Sequence, residues 1–155
     1  MLDVQPVDDA NRSLFYKLSQ DYELEFSPIT KKQPNQNGTF EFTDQIQGHY
    51  DAWLAYNKGN LIGFAVIDIS KSRHDVAEFY IVPKARQCHF GEQLALHLFE
   101  KYTGDWQVRQ LIGAEYARDF WISIIKKYTS NSFLYGIEED VVWGRVYSQK
   151  FTSKK

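Results

Sequence analysis

Two features of the sequence could do chemistry together. One is a single carboxylate inside an apolar run, Val76-Ala77-Glu78-Phe79-Tyr80-Ile81-Val82, and the other is the polar segment Arg86-Gln87-Cys88-His89-Phe90-Gly91-Glu92 that follows it. A carboxylate among apolar residues is costly unless it is paired or faces a wet cleft, and partial burial lifts its pKa toward the range of a general base. Glu78 is therefore a base acting on a substrate proton, a sheet-face carboxylate paired with a base such as Arg73 or Arg109, or an edge residue open to water. The polar segment lies between the apolar run and a stretch that places Leu94, Leu98 and Tyr102 on one helical stripe, which predicts a strand–turn–helix unit. The first amides of such a helix have no intrahelical partners, and the aligned peptide dipoles behind them favour a bound phosphate. Neither G-x-x-x-x-G-K-[ST] nor G-x-G-x-x-G occurs, which excludes the two common phosphate loops.

Other reactive residues offer less. Cys88 is the one cysteine, so an internal disulfide is excluded, and without a partnered histidine it reads as incidental rather than nucleophilic. His49, His74, His89 and His97 lack the close spacing of metal ligands, and no metal is expected.

The elements that must position these groups follow from periodicity. A first strand is expected at Asp3–Val7, then a helix carrying Leu14, Phe15, Leu18 and Tyr22 on its apolar side, with Asp8, Asp9 and Asn11 as candidate caps. Residues 27–48 crowd Pro28, Pro34, Asn35, Asn37 and Gly38 among polar side chains and read as a loop. Tyr50–Tyr56 and Leu61–Ile69 flank Asn57-Lys58-Gly59-Asn60, a hairpin signal. After a turn at residues 70–74 come the strand Val76–Val82, the turn Pro83–Phe90 and the helix Gly91–Tyr102, closed by Gly104. Trp106–Leu111 reads as a strand parallel to Val76–Val82, and Tyr116–Thr129 as a helix. Phe133–Ile137 and Val141–Phe151 read as strands around a turn at Glu138-Glu139-Asp140. The count is seven strands and three or four helices.

Arg86 and Gly91 on a strand-to-helix turn resemble the R/Q-x-x-G-x-G/A loop of the GCN5-related N-acetyltransferase (GNAT) superfamily, with His89 at the first glycine position. Histidine tolerates positive φ better than most residues, and its side chain there either crowds a pyrophosphate or pairs with it as imidazolium. Ala117, Phe120 and Trp121 match the superfamily's N-x-x-A-x-x-F-[YW] helix, with Ala114 in place of Asn. The second half of the chain also resembles a group of small bacterial predicted acetyltransferases. The resemblance implies an α+β fold with a mostly antiparallel seven-stranded sheet and a splayed central parallel pair. It implies acetyl-CoA as cosubstrate, its arm along the backbone of Ile81, Val82 and Pro83, and its pyrophosphate on amides of Gln87, Cys88, His89, Phe90, Gly91 and Glu92. Arg86 is then a phosphate contact or a solvated turn residue, Glu78 the general base, and the Ile81 amide the oxyanion donor. Trp121 stands where the superfamily often has an acidic tyrosine, so Tyr116, Tyr128 or water must return the proton. The loop at 27–48 borders the acceptor site of that fold or is a surface excursion. The implied activity is acetyl transfer to a primary amine of a small molecule or peptide; the alternative is a coenzyme-binding module without catalysis.

Bulk properties agree with one domain over residues 1–155. The chain has 155 residues, 43% hydrophobic and 25% charged, enough for a real core. A net charge of −2 gives no electrostatic reason to expect nucleic acid or an acidic membrane as partner. No leading basic-then-apolar segment or long apolar run points to secretion or insertion, so the expected setting is cytoplasmic, as monomer or homodimer.

Overall fold

A computed structural model describes residues 2–42, 48–70 and 72–154. Strands β1 (Leu2–Pro6), β2 (Tyr50–Asn57), β3 (Asn60–Asp68), β4 (His74–Ile81), β5 (Gly104–Leu111), β6 (Leu134–Asp140) and β7 (Gly144–Ser153) form one sheet in the order β1-β2-β3-β4-β5-β7-β6. Every neighbouring pair is antiparallel except β4 and β5. Helix α1 (Arg12–Thr30) buries Phe15 and Leu18 against Leu54, Phe64, Val66 and Tyr80 on one face. Helices α2 (Phe90–Lys101) and α3 (Glu115–Thr129) cover the other face, where Leu94, Leu98, Phe99 and Ile125 meet Ala65, Ile67, Trp106 and Val108. The mixed, mostly antiparallel α+β sheet expected from the sequence is the one that forms.

Three local expectations need correction. The loop expected from residue 27 starts later, because α1 continues through Pro28 to Thr30. Proline cannot donate to the carbonyl four residues back, but the Ser27 hydroxyl donates to that Leu24 carbonyl at 2.8 Å. The helix therefore ends only at Lys31, whose left-handed φ of 65° lets its N–H reach the Ser27 carbonyl. Of the expected loop, residues 43–47 lie outside the described residues, as does Lys71 of the 70–74 turn. Second, the turn expected at Glu138–Asp140 falls at residues 141–143. The Asp140 carboxylate makes that turn by accepting the Val142 and Trp143 amides at 2.9 and 2.8 Å, and Gly144 closes it at φ 75°. Third, α2 stops at Lys101, and Gly104, at φ 114°, opens β5 rather than closing the helix.

The feature that shapes the molecule is the partial pairing of β4 with β5. Their register holds only at His74↔Trp106 and Asp75↔Gln107, after which the strands separate. On the other edge of β4 the register jumps from Val66↔Glu78 to Ile67↔Val76, leaving Ala77 as an extra residue. A bulge of this kind bends its strand and ends pairing, so the sequence position just before Glu78 is where the sheet opens. Beyond the bulge β3 and β4 are pressed close at Gly63↔Ile81, where a Cβ on Gly63 would lie 2.3 Å from the Tyr80 carbonyl oxygen. Gly63→Ala should accordingly lower stability by about 1–3 kcal/mol in urea melts, since backbone rather than a flexible side chain must move.

Candidate active site

The separation of β4 from β5 opens a cleft of about 530 Å³ floored by Val76–Phe79 and Val108–Leu111. Helix α1 supplies Tyr22, Phe26 and Ile29 to one wall, α3 supplies Ala114, Ala117 and Trp121 to another, and the β6–β7 turn adds Val141, Val142 and Trp143. Phe26 stacks on Tyr116 of α3, with centroids 6.2 Å apart and an interplanar angle of 11°. Aromatic side chains are thus divided between core and cleft.

Glu78 is half-buried and lines this cleft. Its cross-strand neighbour is Val66, which packs on the α1 side, so the carboxylate is carried toward α1 rather than toward α2 and α3. The pairing with Arg109 considered for Glu78 belongs instead to Asp75 and Asp140, whose carboxylates hold the Arg109 guanidinium at 2.8 Å each. A second ion pair, Lys32–Glu23 at 2.6 Å, also lies on the lining, with Glu23 only 2% exposed. Neither pair was legible in the sequence, because their partners are nine and more than thirty residues apart. Alternation along β6, which puts Glu138 and Asp140 on one face, was the available hint for Asp140.

The predicted anion loop sits at the far end of β4. Val82 donates to the Ile62 carbonyl at 2.8 Å on the β3 edge. By the alternation of an antiparallel ladder the Ile81 N–H points the other way, into the gap beside β5. Pro83 opens a single helical turn to Ala85. Gln87 and His89 then take left-handed conformations at φ 65° and 64°, a strain that glycine would not have had to bear. His89 is the residue before α2, and no side chain caps that helix. Its imidazole does not fill the turn: the side chain is 82% exposed and lies 3.5 Å from Glu92. Cys88 is exposed, and Phe90 begins the helix. Gly91 gives the Phe120 ring its place, since a Cβ there would lie 2.9 Å from that ring and would have to displace it. Glu92 pairs with Lys127 at 2.9 Å, a hydrogen bond that holds its carboxyl below the usual range.

Two predicted residues are placed differently from the expectation. Arg86 neither faces the loop nor is simply solvated. Its Nε donates to the Ile81 carbonyl at 2.8 Å and its Nη2 meets both carboxylate oxygens of Glu25 of α1, at 2.8 and 2.9 Å, over the Tyr80 ring. Burial, with Glu25 beside it, pushes the Tyr80 phenol up to about 12. Tyr128 does not line the cleft. Its ring packs on Phe99, with centroids 5.2 Å apart, and its hydroxyl pairs with Ser153 at 2.9 Å. Tyr116, the other tyrosine considered as an acid, is not on the cleft lining either but stacks on Phe26, which is, and burial raises its pKa. Between cleft and loop stands an aromatic group, Phe79 with Trp121 at 4.7 Å and with Phe120 at 5.9 Å. Among the described residues no cluster of three or more His, Cys, Asp or Glu is arranged to hold a metal, and no helix is long and apolar enough to cross a membrane.

An antiparallel sheet opened at one parallel pair, with a helix N-terminus at the end of the opening, is the fold of the GCN5-related N-acetyltransferases. This chain has that fold. It is similar to the ribosomal-protein-S18-alanine N-acetyltransferase of Escherichia coli, with TM-score 0.63 and 13% identity over 100% of this chain and 96% of that one. It is similar to a Bacillus subtilis acetyltransferase solved with CoA, with TM-score 0.63 and 12% identity over 98% and 99% of the two chains. The PaiA N-acetyltransferase of Thermoplasma acidophilum, solved with coenzyme A, gives TM-score 0.64 and 10% identity over 97% and 99%. No protein-family model and no curated protein sequence matches the chain.

Asp140 links the β6–β7 turn to the cleft floor, and its titration should report that link. The Trp143 and Val142 amides, then Arg109, hold its carboxyl below the ordinary value. A lowered pKa means that the stabilisation is complete above the unfolded value of about 3.9 and is lost as pH falls through the folded one. The Val142 and Trp143 amide resonances should therefore shift only in acid below that value. In Asp140→Asn the titration should vanish and stability should drop by about 1 kcal/mol.

Proposed function

We propose that the chain is an acetyl-CoA-dependent N-acetyltransferase that moves an acetyl group directly to a primary amine of a small molecule or peptide. The observation that carries this reading is the opened β4–β5 edge running toward the uncapped first turn of α2. The residues fit a coenzyme A. The loop amides from Gln87 to Glu92 end a helix without a side-chain cap, and the His89 ring leaves them clear. The coenzyme A in two of the structural neighbours supports the same assignment.

In this reading the backbone of Ile81, Val82 and Pro83 aligns the pantetheine arm, and the amides of Gln87, Cys88, His89, Phe90, Gly91 and Glu92 take the diphosphate. Arg86 acts indirectly, fixing the Ile81 carbonyl and tying the end of β4 to α1. The thioester supplies an already activated acetyl group, so no covalent enzyme intermediate is needed. Glu78 takes the proton of the acceptor amine, directly or through one water, which an amine with a pKa near 10 requires at neutral pH. The amine nitrogen bonds to the acetyl carbon, the Ile81 N–H meets the charge developing on the carbonyl oxygen, and the carbon–sulfur bond breaks. The sulfur leaves as thiolate and takes a proton from water or from Tyr116, whose raised pKa keeps it protonated.

A coenzyme-binding module without turnover is the second reading. It draws on Trp121, which brings an indole rather than a phenol to the α3 side of the cleft. Glu78→Gln separates the two. For a transferase, thiol release over an amine panel should fall by about 10²–10⁴-fold while calorimetry gives an unchanged acetyl-CoA affinity. Binding without release in the unmutated protein would favour the module.

A further inference from the structure

The Ile81 carbonyl faces the opening beside β4, yet it does not lack a donor. Val82 is bonded to β3 through its N–H. In an antiparallel ladder the residue next to a bonded one turns both its N–H and its carbonyl to the other edge. At Ile81 that edge has no strand, because the register with β5 ends at Asp75 and Gln107. Arg86 takes the place of the missing strand, its Nε donating to the Ile81 carbonyl at 2.8 Å.

Arg86 is itself held from α1. Its Nη2 meets both oxygens of Glu25 at 2.8 and 2.9 Å, and its guanidinium carbon lies 5.5 Å from the centre of the Tyr80 ring. The Tyr80 hydroxyl donates to the same carboxylate at 3.3 Å. A partly exposed ion pair contributes little to stability by itself. What it fixes here is direction. A guanidinium is planar with its donors in a rigid fork, so a carboxylate on Nη2 and a ring against its face aim Nε at one place, the Ile81 carbonyl. The compact ammonium of lysine has no such fork. Glu25 is followed by Phe26, which lines the cleft, so the tie joins the wall of the cleft to the end of β4.

We infer that Glu25 is a positioning residue for the transfer: through Arg86 it holds the Ile81 segment so that the Ile81 N–H keeps its place beside the thioester carbonyl. The inference rests on the transferase reading and adds to it a side chain of α1 that touches neither coenzyme nor amine.

The test compares Glu25→Ala, Glu25→Gln, Arg86→Lys and the double variant Glu25→Ala with Arg86→Lys. It follows thiol release from acetyl-CoA with the primary amine that the unmutated protein turns over fastest, and coenzyme A affinity by calorimetry. Glu25→Ala and Arg86→Lys should each lower kcat by about 10–100-fold, the cost of a misplaced oxyanion donor, with KM for the amine and coenzyme A affinity within about twofold. The double variant should lose no more than the larger single loss, because both changes break one tie. Glu25→Gln, which keeps an acceptor for Nη2, should recover most of kcat, a rescue that a purely electrostatic role would not give. The Ile81 and Val82 amide resonances should shift in Glu25→Ala and return in Glu25→Gln. An unchanged kcat in Glu25→Ala, or losses that multiply in the double variant, overturns the inference and leaves the transferase standing. Coenzyme A affinity that falls tenfold in Arg86→Lys but not in Glu25→Ala makes Arg86 a phosphate contact and overturns it as well. Absence of release with every amine in the unmutated protein overturns the transferase reading and this inference together.

Discussion

Two strands that run side by side yet share only two residue pairs create an unusual demand. The inner edges of β4 and β5 carry backbone groups that no neighbouring strand satisfies beyond Asp75 and Gln107. Backbone donors and acceptors in a partly enclosed place need partners, so the opening must hold water or a ligand that hydrogen-bonds like a strand. The bulge at Ala77 holds it open, and the close approach of β3 at Gly63 keeps the rest of β4 from following β5. The site is therefore a property of the sheet rather than of any one side chain.

The surroundings of the gap are organised by ion pairs that cross between elements. Arg86 ties the end of β4 to Glu25 of α1, Lys32 joins Glu23 beside the cleft, and Arg109 joins the floor at Asp75 to the β6–β7 turn at Asp140. Each pair involves a partly buried charge whose removal would strand its partner, which makes them positional constraints more than sources of net stability. Glu78 stands among them on the α1 side, while the amides of the α2 terminus lie at the other end of β4. In the proposed transferase the acceptor and the phosphate-binding functions are thus separated along one strand.

Much of this was legible in the chain because it is local. The apolar run around Glu78, the stripe of Leu94 and Leu98, and the Asn57-Lys58-Gly59-Asn60 turn each fix an element by spacing alone, and the helix between them made Val76–Val82 and Trp106–Leu111 parallel neighbours. Other parts were hidden for physical reasons. Pro28 looked like a helix breaker because the substitute bond from Ser27 to Leu24 is a side-chain matter. The turn after β6 was misplaced because Glu138-Glu139-Asp140 is polar and Val141-Val142-Trp143 is not, whereas Asp140 does the turn's bonding from one residue before. The partner of Arg86 could not be read, since Glu25 lies on another element sixty-one residues away. Tyr128 has the composition of an acid, but its place on the helix turns its hydroxyl to Ser153.

The central claim is that free amides ahead of α2 take a diphosphate whose attached arm lies along β4. Backbone amide resonances followed during titration with coenzyme A, and separately with pantetheine, address it most directly. The account predicts that coenzyme A shifts the amides of Gln87 through Glu92 together with Ile81, and that pantetheine, lacking the diphosphate, leaves the Gln87–Glu92 group unmoved. Saturable binding of coenzyme A with those amides unshifted, or no binding, would contradict it.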